Sequence, residues 1–357
     1  MSNPLKSEAL PGRRSRRSLA LPRIFRRVAP QDDRQGLRVA LVAIAALVVA
    51  AICAGAQCSP AITTLLNDGK LEEARTQVDA LVKKNATDDA AMHCMGRVYE
   101  AMNKSGEAAD WFEKAIKVND RVALHHLWLG NALGDQAQHA NKLKQPFLAK
   151  RVKTEFERTV ALDPTSIDGR HGLIQFYSQA PGIMGGSMDK AREQAREIEK
   201  LNAMRGHVEL AALLEKDKDL AGAEREFEAS VAAAPDSGYG YSSLAGFYRR
   251  QKKYDEAAAT WDRLLKVRPD LVNAHLNLAF NLALSGQGLE RGEQAVKAWL
   301  AAPPKDATPV TSGFAHYVLG MIYERQGKKD GARAEYQTAL TLNPKNSDAK
   351  KALDGLR

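Results

Sequence analysis

Residues Gly313 to Lys345 read GFAHYVLGMIYERQGKKDGARAEYQTALTLNPK. Apolar side chains fall at Phe314, Tyr317, Leu319, Ile322 and Tyr323, then at Ala332, Tyr336, Ala339 and Leu340, which is helical spacing used twice. Gly327 separates the two runs and Pro344 ends the second, so the stretch predicts two amphipathic helices joined by a tight turn. Gly320 and Ala332 are small where the helices must cross, because larger side chains would force the axes beyond the roughly 8–10 Å of close packing. Tyr323 and Tyr336 fill the space beside that crossing. One such hairpin exposes as much apolar face as it buries, and only stacked copies close a core.

The order Leu319-Gly320, Tyr323, Ala332, Tyr336, Ala339 and Pro344 resembles the tetratricopeptide repeat, a helix-turn-helix unit of about 34 residues. Further copies follow the same pattern. Asp89 to Arg121 carries Met95-Gly96, Tyr99, Ala108, Phe112 and Ala115. Ala123 to Pro164 has Leu129-Gly130, Phe156 and Pro164, with extra residues between its helices. Ile167 to Ala203 has Leu173, Tyr177 and Ala191 and a smaller insertion, QAPGIMGGS. Met204 to Pro235 and Gly238 to Pro269 are closer matches. Val272 to Pro304 is looser, with Trp299 where a small residue is usual. Pro60 to Asn85 reads as a shortened first copy, and Ser347 to Arg357 as a capping helix. The repeats are thus expected to occupy residues 57–346 and the cap 347–357. The insertions, Asp135 to Phe147 and Pro181 to Met188, are expected on one edge of the stack, where together they would form a lobe.

No β-branched alternation competes with this reading, and the fold class is all-α. The resemblance implies a right-handed superhelical solenoid with a concave groove.

Ahead of the repeats lies a segment of a different kind. Residues 1–38 hold Lys6 and nine arginines against Glu8, Asp32 and Asp33, a net +7, and read as a disordered basic leader. Of the formal +9, about +2 is left for the rest, so the high pI belongs to the leader. A nucleic-acid partner would want a basic face on the fold itself, and none is expected. Residues 39–56, VALVAIAALVVAAICAGA, are uncharged and suit either a signal sequence or a single transmembrane anchor. The basic residues before the run would hold the N-terminus in the cytoplasm and send the repeats across the membrane. Ala54-Gly55-Ala56 has the small-x-small form that signal peptidase cuts, which would release the chain at Gln57; uncut, the run tethers the chain to the inner membrane.

Chemistry is sparse. The catalytic and nucleotide motifs G-x-S-x-G, H-E-x-x-H, G-x-G-x-x-G and the P-loop are missing from the sequence, which points away from an enzyme and from any cofactor. Cys53, Cys58 and Cys94 are not spaced for zinc. An exported chain allows Cys58 and Cys94 to pair, but nothing in the spacing favours it over two separate thiols. His126, His207, His275 and His316 fall where the repeat carries its first aromatic; successive repeats hold these positions on the order of 10 Å apart, too far for a shared metal, so each is expected to act as a flat, partly buried ring.

Function must then come from surface. By matched position the resemblance places Asn131, His171, Gln175, Tyr239, Arg249, Leu276, Phe280, Phe314, Tyr317 and Arg325 along the groove, with His93, Arg97, Glu100 and Leu127 at its N-terminal end. The C-terminal half is aromatic and aliphatic with flanking arginines, a composition typical of binding hot spots. The expectation is a non-enzymatic scaffold in a bacterial cell envelope, repeats on the periplasmic side, binding a protein or peptide partner. A non-catalytic subunit of an envelope enzyme or secretion complex is the alternative.

Overall fold

The computed structural model describes residues 57–356. The basic leader and the apolar run 39–56 lie outside the described residues. Among those described there are seventeen α-helices and no strand. They run α1 Pro60–Asn67, α2 Leu71–Lys84, α3 Asp89–Ala101, α4 Ser105–Val118, α5 Ala123–His139, α6 Gln145–Leu162, α7 Ile167–Gln179, α8 Met188–Leu201 and α9 Ala203–Lys216. The series continues with α10 Leu220–Ala233, α11 Gly238–Arg250, α12 Tyr254–Val267, α13 Val272–Ser285, α14 Leu289–Ala301, α15 Pro309–Arg325, α16 Lys329–Leu342 and α17 Ser347–Gly355. Each helix packs on its neighbours in sequence, and first helices touch the first helices of adjacent pairs, the nearest-neighbour pattern of a solenoid.

The elements start and stop for local reasons. Ser59, Asp88, Ser166, Ser187, Asn202, Asp219, Thr308 and Asn346 cap helix N-termini, each side chain accepting from a backbone N–H of the first turn. Inside the pairs the chain reverses through one left-handed residue: Gly69 and Gly327 in two repeats, but Asn103, Lys218 and Lys252 in three others, at φ of 58°, 67° and 60°.

The crossings are built as the sequence implies. A Cβ on Gly96 would stand 2.4 Å from the Phe112 ring, and one on Gly130 would stand 2.8 Å from Phe156. Phe156 is gripped from its other side by Gly172 of the next repeat, at 2.6 Å. In the looser repeat the usual sizes are exchanged. Val296 takes the slot opposite Ala279 where Tyr336 stands in the last repeat, and Trp299 fills the small-residue slot, 1% exposed, its indole N–H donating to Asn273 Oδ1 at 3.1 Å. One large and one small side chain still fill the layer, so the core volume is conserved.

Two expectations are corrected. The insertion Asp135 to Phe147 is not a free lobe: α5 continues through His139 and α6 begins at Gln145, leaving only 140–144 between them. The first stretch holds no breaker after Gly134, and Pro146 sits in the first turn of α6, where its missing N–H costs nothing. The shorter insertion does stay a loop, with a 3-10 turn at Gly182–Met184, and Ser187 caps α8 by accepting from Lys190 N at 3.3 Å. The second correction concerns the thiols. Cys58 and Cys94 form a disulfide with Cα atoms 5.4 Å apart. Stacking of α1 on α3 brings Cys58, two residues before the short first helix, beside Cys94 in the middle of α3, a proximity that sequence separation conceals.

The last apolar face is closed by α17, whose Ala349 is buried and whose C-terminal Leu356, 8% exposed, packs with Ala332 and Tyr336.

Candidate protein-binding groove

Inner positions of the first helices carry the candidate site, and its C-terminal part is a run of rings. Phe280 of α13 and Phe314 of α15 meet edge to face with centroids 5.1 Å apart. Phe314 and Tyr317 follow at 6.3 Å, and Tyr317 and Tyr336 at 5.9 Å. Phe280, Phe314 and Tyr317 are each half-buried, so part of every ring packs on the core and part stays open. The Arg249 guanidinium lies 5.6 Å from the Phe280 ring centroid and makes no ion pair among the described residues. Arg325 is exposed and donates to the Leu284 carbonyl at 3.1 Å, tying α15 to the end of α13. Tyr239 is 45% exposed at the start of α11. Leu276, at 4%, belongs to the core beneath these rings. Burial, and then the carboxylates of Asp348 and Glu324, push the Tyr317 phenol up from its ordinary value, so it remains a neutral hydrogen-bonding group.

The middle of the path is polar. Asn131 and Gln175 are exposed. His171 Nδ1 lies 2.7 Å from Glu209 Oε1 on the next first helix, and that hydrogen bond raises the imidazole pKa against the opposing effect of burial. Gln175 follows at 3.3 Å from His171 Nε2 and accepts in turn from Gln179.

At the N-terminal end the path closes. His93 and Leu127 are 2% and 8% exposed, so they are floor and core and not groove lining. Arg97 stacks on Trp128 at 3.6 Å. His93 Nδ1 lies 3.1 Å from His125 Nδ1, and His125 Nε2 lies 3.1 Å from Asp89 Oδ2, which also accepts from Asn119. Burial first, then His125 and Arg97, push His93 down to about 3, and burial lowers His125 as well. Both rings are neutral near pH 7. Nothing in the repeat pattern singles out His125, whose role depends on Asp89 and His93 arriving from the preceding repeat.

The four aligned histidines do act as rings, with polar partners that the pattern did not supply. His126, His207 and His316 hold Glu155, Glu226 and Glu335 of their own second helices at 2.6, 2.7 and 2.6 Å through Nδ1. The pairing is periodic: Glu follows His by 19 residues in two repeats and by 29 in the one whose helices are lengthened. That offset was readable. The residue at that offset from His275 is Gln294, and His275 instead bonds the Pro269 carbonyl at 3.1 Å, as Tyr241 does to Pro235. Among the described residues no group of His, Cys, Asp and Glu is arranged to hold a metal.

Residues 313–346 and 91–121 match family models for the tetratricopeptide repeat. No curated protein matches the chain. Of solved structures, yeast Tom70 is similar with a TM-score of 0.58 and 13% identity over 80% of this chain, which corresponds to 58% of Tom70. A tetratricopeptide repeat protein from Parabacteroides merdae matches over 79% of this chain and 99% of its own, at 13% identity and a TM-score of 0.45. A thermophilic repeat protein of Thermus thermophilus matches over 54% and 98%, at 19% identity and 0.40. At 13% identity the likeness to Tom70 is one of fold. The stacked helix pairs, the glycine-aromatic crossings and the two matched segments together give the chain the fold of tetratricopeptide repeat proteins, an architecture that suggests protein–protein interaction.

Proposed function

We propose that this chain is a non-enzymatic scaffold that holds a segment of a partner protein against Tyr239, Phe280, Phe314 and Tyr317. The observation that carries the reading is the run of half-buried rings Phe280, Phe314 and Tyr317 with the unpaired Arg249 over one end. Rings already held by their neighbours lose little freedom when a partner covers them, which is what binding anchors need. Arg249 and Arg325 favour a partner segment with carboxylates beside its apolar residues.

An envelope location accompanies the proposal. The Cys58–Cys94 disulfide supports it, because such bonds persist in oxidising compartments. The basic leader followed by the uncharged run 39–56 supports it from sequence. Among the described residues no helix is long and apolar enough to cross a membrane.

The test is co-purification from detergent-solubilised membranes with native chain and with Phe280→Ala/Tyr317→Ala. The double variant should lose the co-purifying protein while remaining folded by circular dichroism. Undiminished recovery of the same protein would remove the groove from the proposal.

A further inference from the structure

The most exposed large apolar side chains among the described residues are not in the groove. They are Ile183 at 97%, Leu143 at 82% and Phe147 at 76%. All three lie in the insertions of two adjacent repeats: Leu143 between α5 and α6, Phe147 in the first turn of α6, and Ile183 in the 3-10 turn before α8. The 3-10 turn packs against α6, and a Cβ on Gly185 would stand 4.0 Å from Lys153 Nζ, so the insertions adjoin.

The inserted stretches themselves carry only basic charge, bounded in sequence by Asp135, Glu155 and Asp189. From Gln136 to Thr154 there are five basic residues and no Asp or Glu, and Gln179 to Met188 carries no charge at all. Arg151 is paired with Glu113 and Lys153 with Glu157, but Lys142, Lys144 and Lys150 make no ion pair among the described residues. Asp135, the nearest acid on α5, is turned to His139 at 3.8 Å.

We infer that this edge docks on an anionic lipid bilayer, independently of what the groove binds. Three apolar tips, two of them flanked in sequence by the unpaired Lys142, Lys144 and Lys150, suit insertion into an interface, where the apolar part enters the acyl boundary and lysines meet lipid phosphates. A protein partner of comparable stability would require a flat covered area of roughly 800 Å² per side, which three isolated prongs do not offer. The lysines do not explain themselves as solubility devices, since they cluster at the one place where apolar side chains are most exposed.

The probe is an introduced indole. Full-length Ile183→Trp is added to vesicles of phosphatidylglycerol and brominated phosphatidylcholine in equal parts, and Val310→Trp, 58% exposed at the start of α15, serves as a second site in the same chain. The expected result is loss of the added emission for Ile183→Trp, with none for Val310→Trp. The loss should disappear when the phosphatidylglycerol is replaced by phosphatidylcholine and when Lys142, Lys144 and Lys150 are changed to Glu. A chain held only by residues 39–56 would quench neither added indole. That outcome overturns the inference, as does quenching of Ile183→Trp that is insensitive to lipid charge. Should Ile183→Trp stay unquenched while Leu143→Glu/Phe147→Glu releases a co-purifying protein, the edge is a protein-docking surface and the bilayer reading fails.

Discussion

The Nδ1 atoms of His93 and His125 lie 3.1 Å apart inside the joint between the second and third repeats, with His125 backed by Asp89. Two nitrogens at that distance share one proton, so one ring donates and the other accepts, and adding a second proton breaks the contact. Burial excludes the water that would solvate the extra charge.

Stability should therefore fall with acid in a defined window. Both imidazoles have folded pKa values below the ordinary 6.5, so the unfolded chain binds more protons than the native one below pH 6.5. Their stabilising contribution is whole above that pH and declines as pH drops, that of His93 down to about 3. Below pH 6.5 the slope should rise towards about 1.4 kcal/mol per pH unit from His93, and His125 adds to it in the same direction. His171, with its raised pKa, opposes this and loses its contribution as pH rises, but its side chain is 41% exposed and its share is smaller. Urea midpoints measured across the window check the prediction, and His93→Leu/His125→Leu should flatten the slope even if the variant is weaker throughout. An unchanged slope would assign the acid sensitivity to other groups.

The crossing of the last repeat gives a second outcome. A Cβ on Gly320 would stand 2.6 Å from the Tyr336 ring, which is fully buried with its hydroxyl donating to Glu324 at 2.6 Å. Gly320→Leu has nowhere to place its side chain and should destabilise by about 1–3 kcal/mol. Hydrogen exchange should rise in α15 to α17 and stay near native in α3 to α8, because coupling in the stack passes between neighbours. Equal loss of protection from residue 57 onward would contradict a solenoid.

Much of this fold was legible because each repeat restates the same small set of packing demands. Gly320 facing Tyr336 and Gly96 facing Phe112 are the same requirement, and its recurrence in sequence identified it. What escaped depended on contacts between repeats. His125 is ordinary in its own helix and becomes a buried pair only when His93 and Asp89 arrive from 32 and 36 residues away. Cys58 and Cys94 are likewise joined by stacking. The lengthened α5 and α6 depart from the expectation because extra residues between helices suggest a loop, although nothing in Gln136 to His139 stops a helix. Of the candidate groove, Phe280, Phe314 and Tyr317 are brought together by geometry, whereas Leu276 has the right register and the wrong depth.

The disulfide predicts a local weakness. It closes a loop spanning 36 residues and ties a helix of only eight residues to the stack. Reduction, or Cys58→Ser/Cys94→Ser, should cost about 2–4 kcal/mol, seen first as exchange and proteolysis in α1 and α2. The rest of the stack should hold. Mass spectrometry of the untreated protein from its native compartment should find the bond formed, and free thiols there would contradict the envelope reading.

Site-specific photo-crosslinking in cells tests the groove most directly. A photoreactive residue replaces Tyr239 or Phe314 in the groove, and in separate chains Val118 or Val267, which are exposed at the ends of second helices. The account predicts a discrete protein adduct from positions 239 and 314, identical in mass shift, and none from 118 and 267. Adducts confined to 118 and 267, with the groove positions silent in a folded chain, would contradict it.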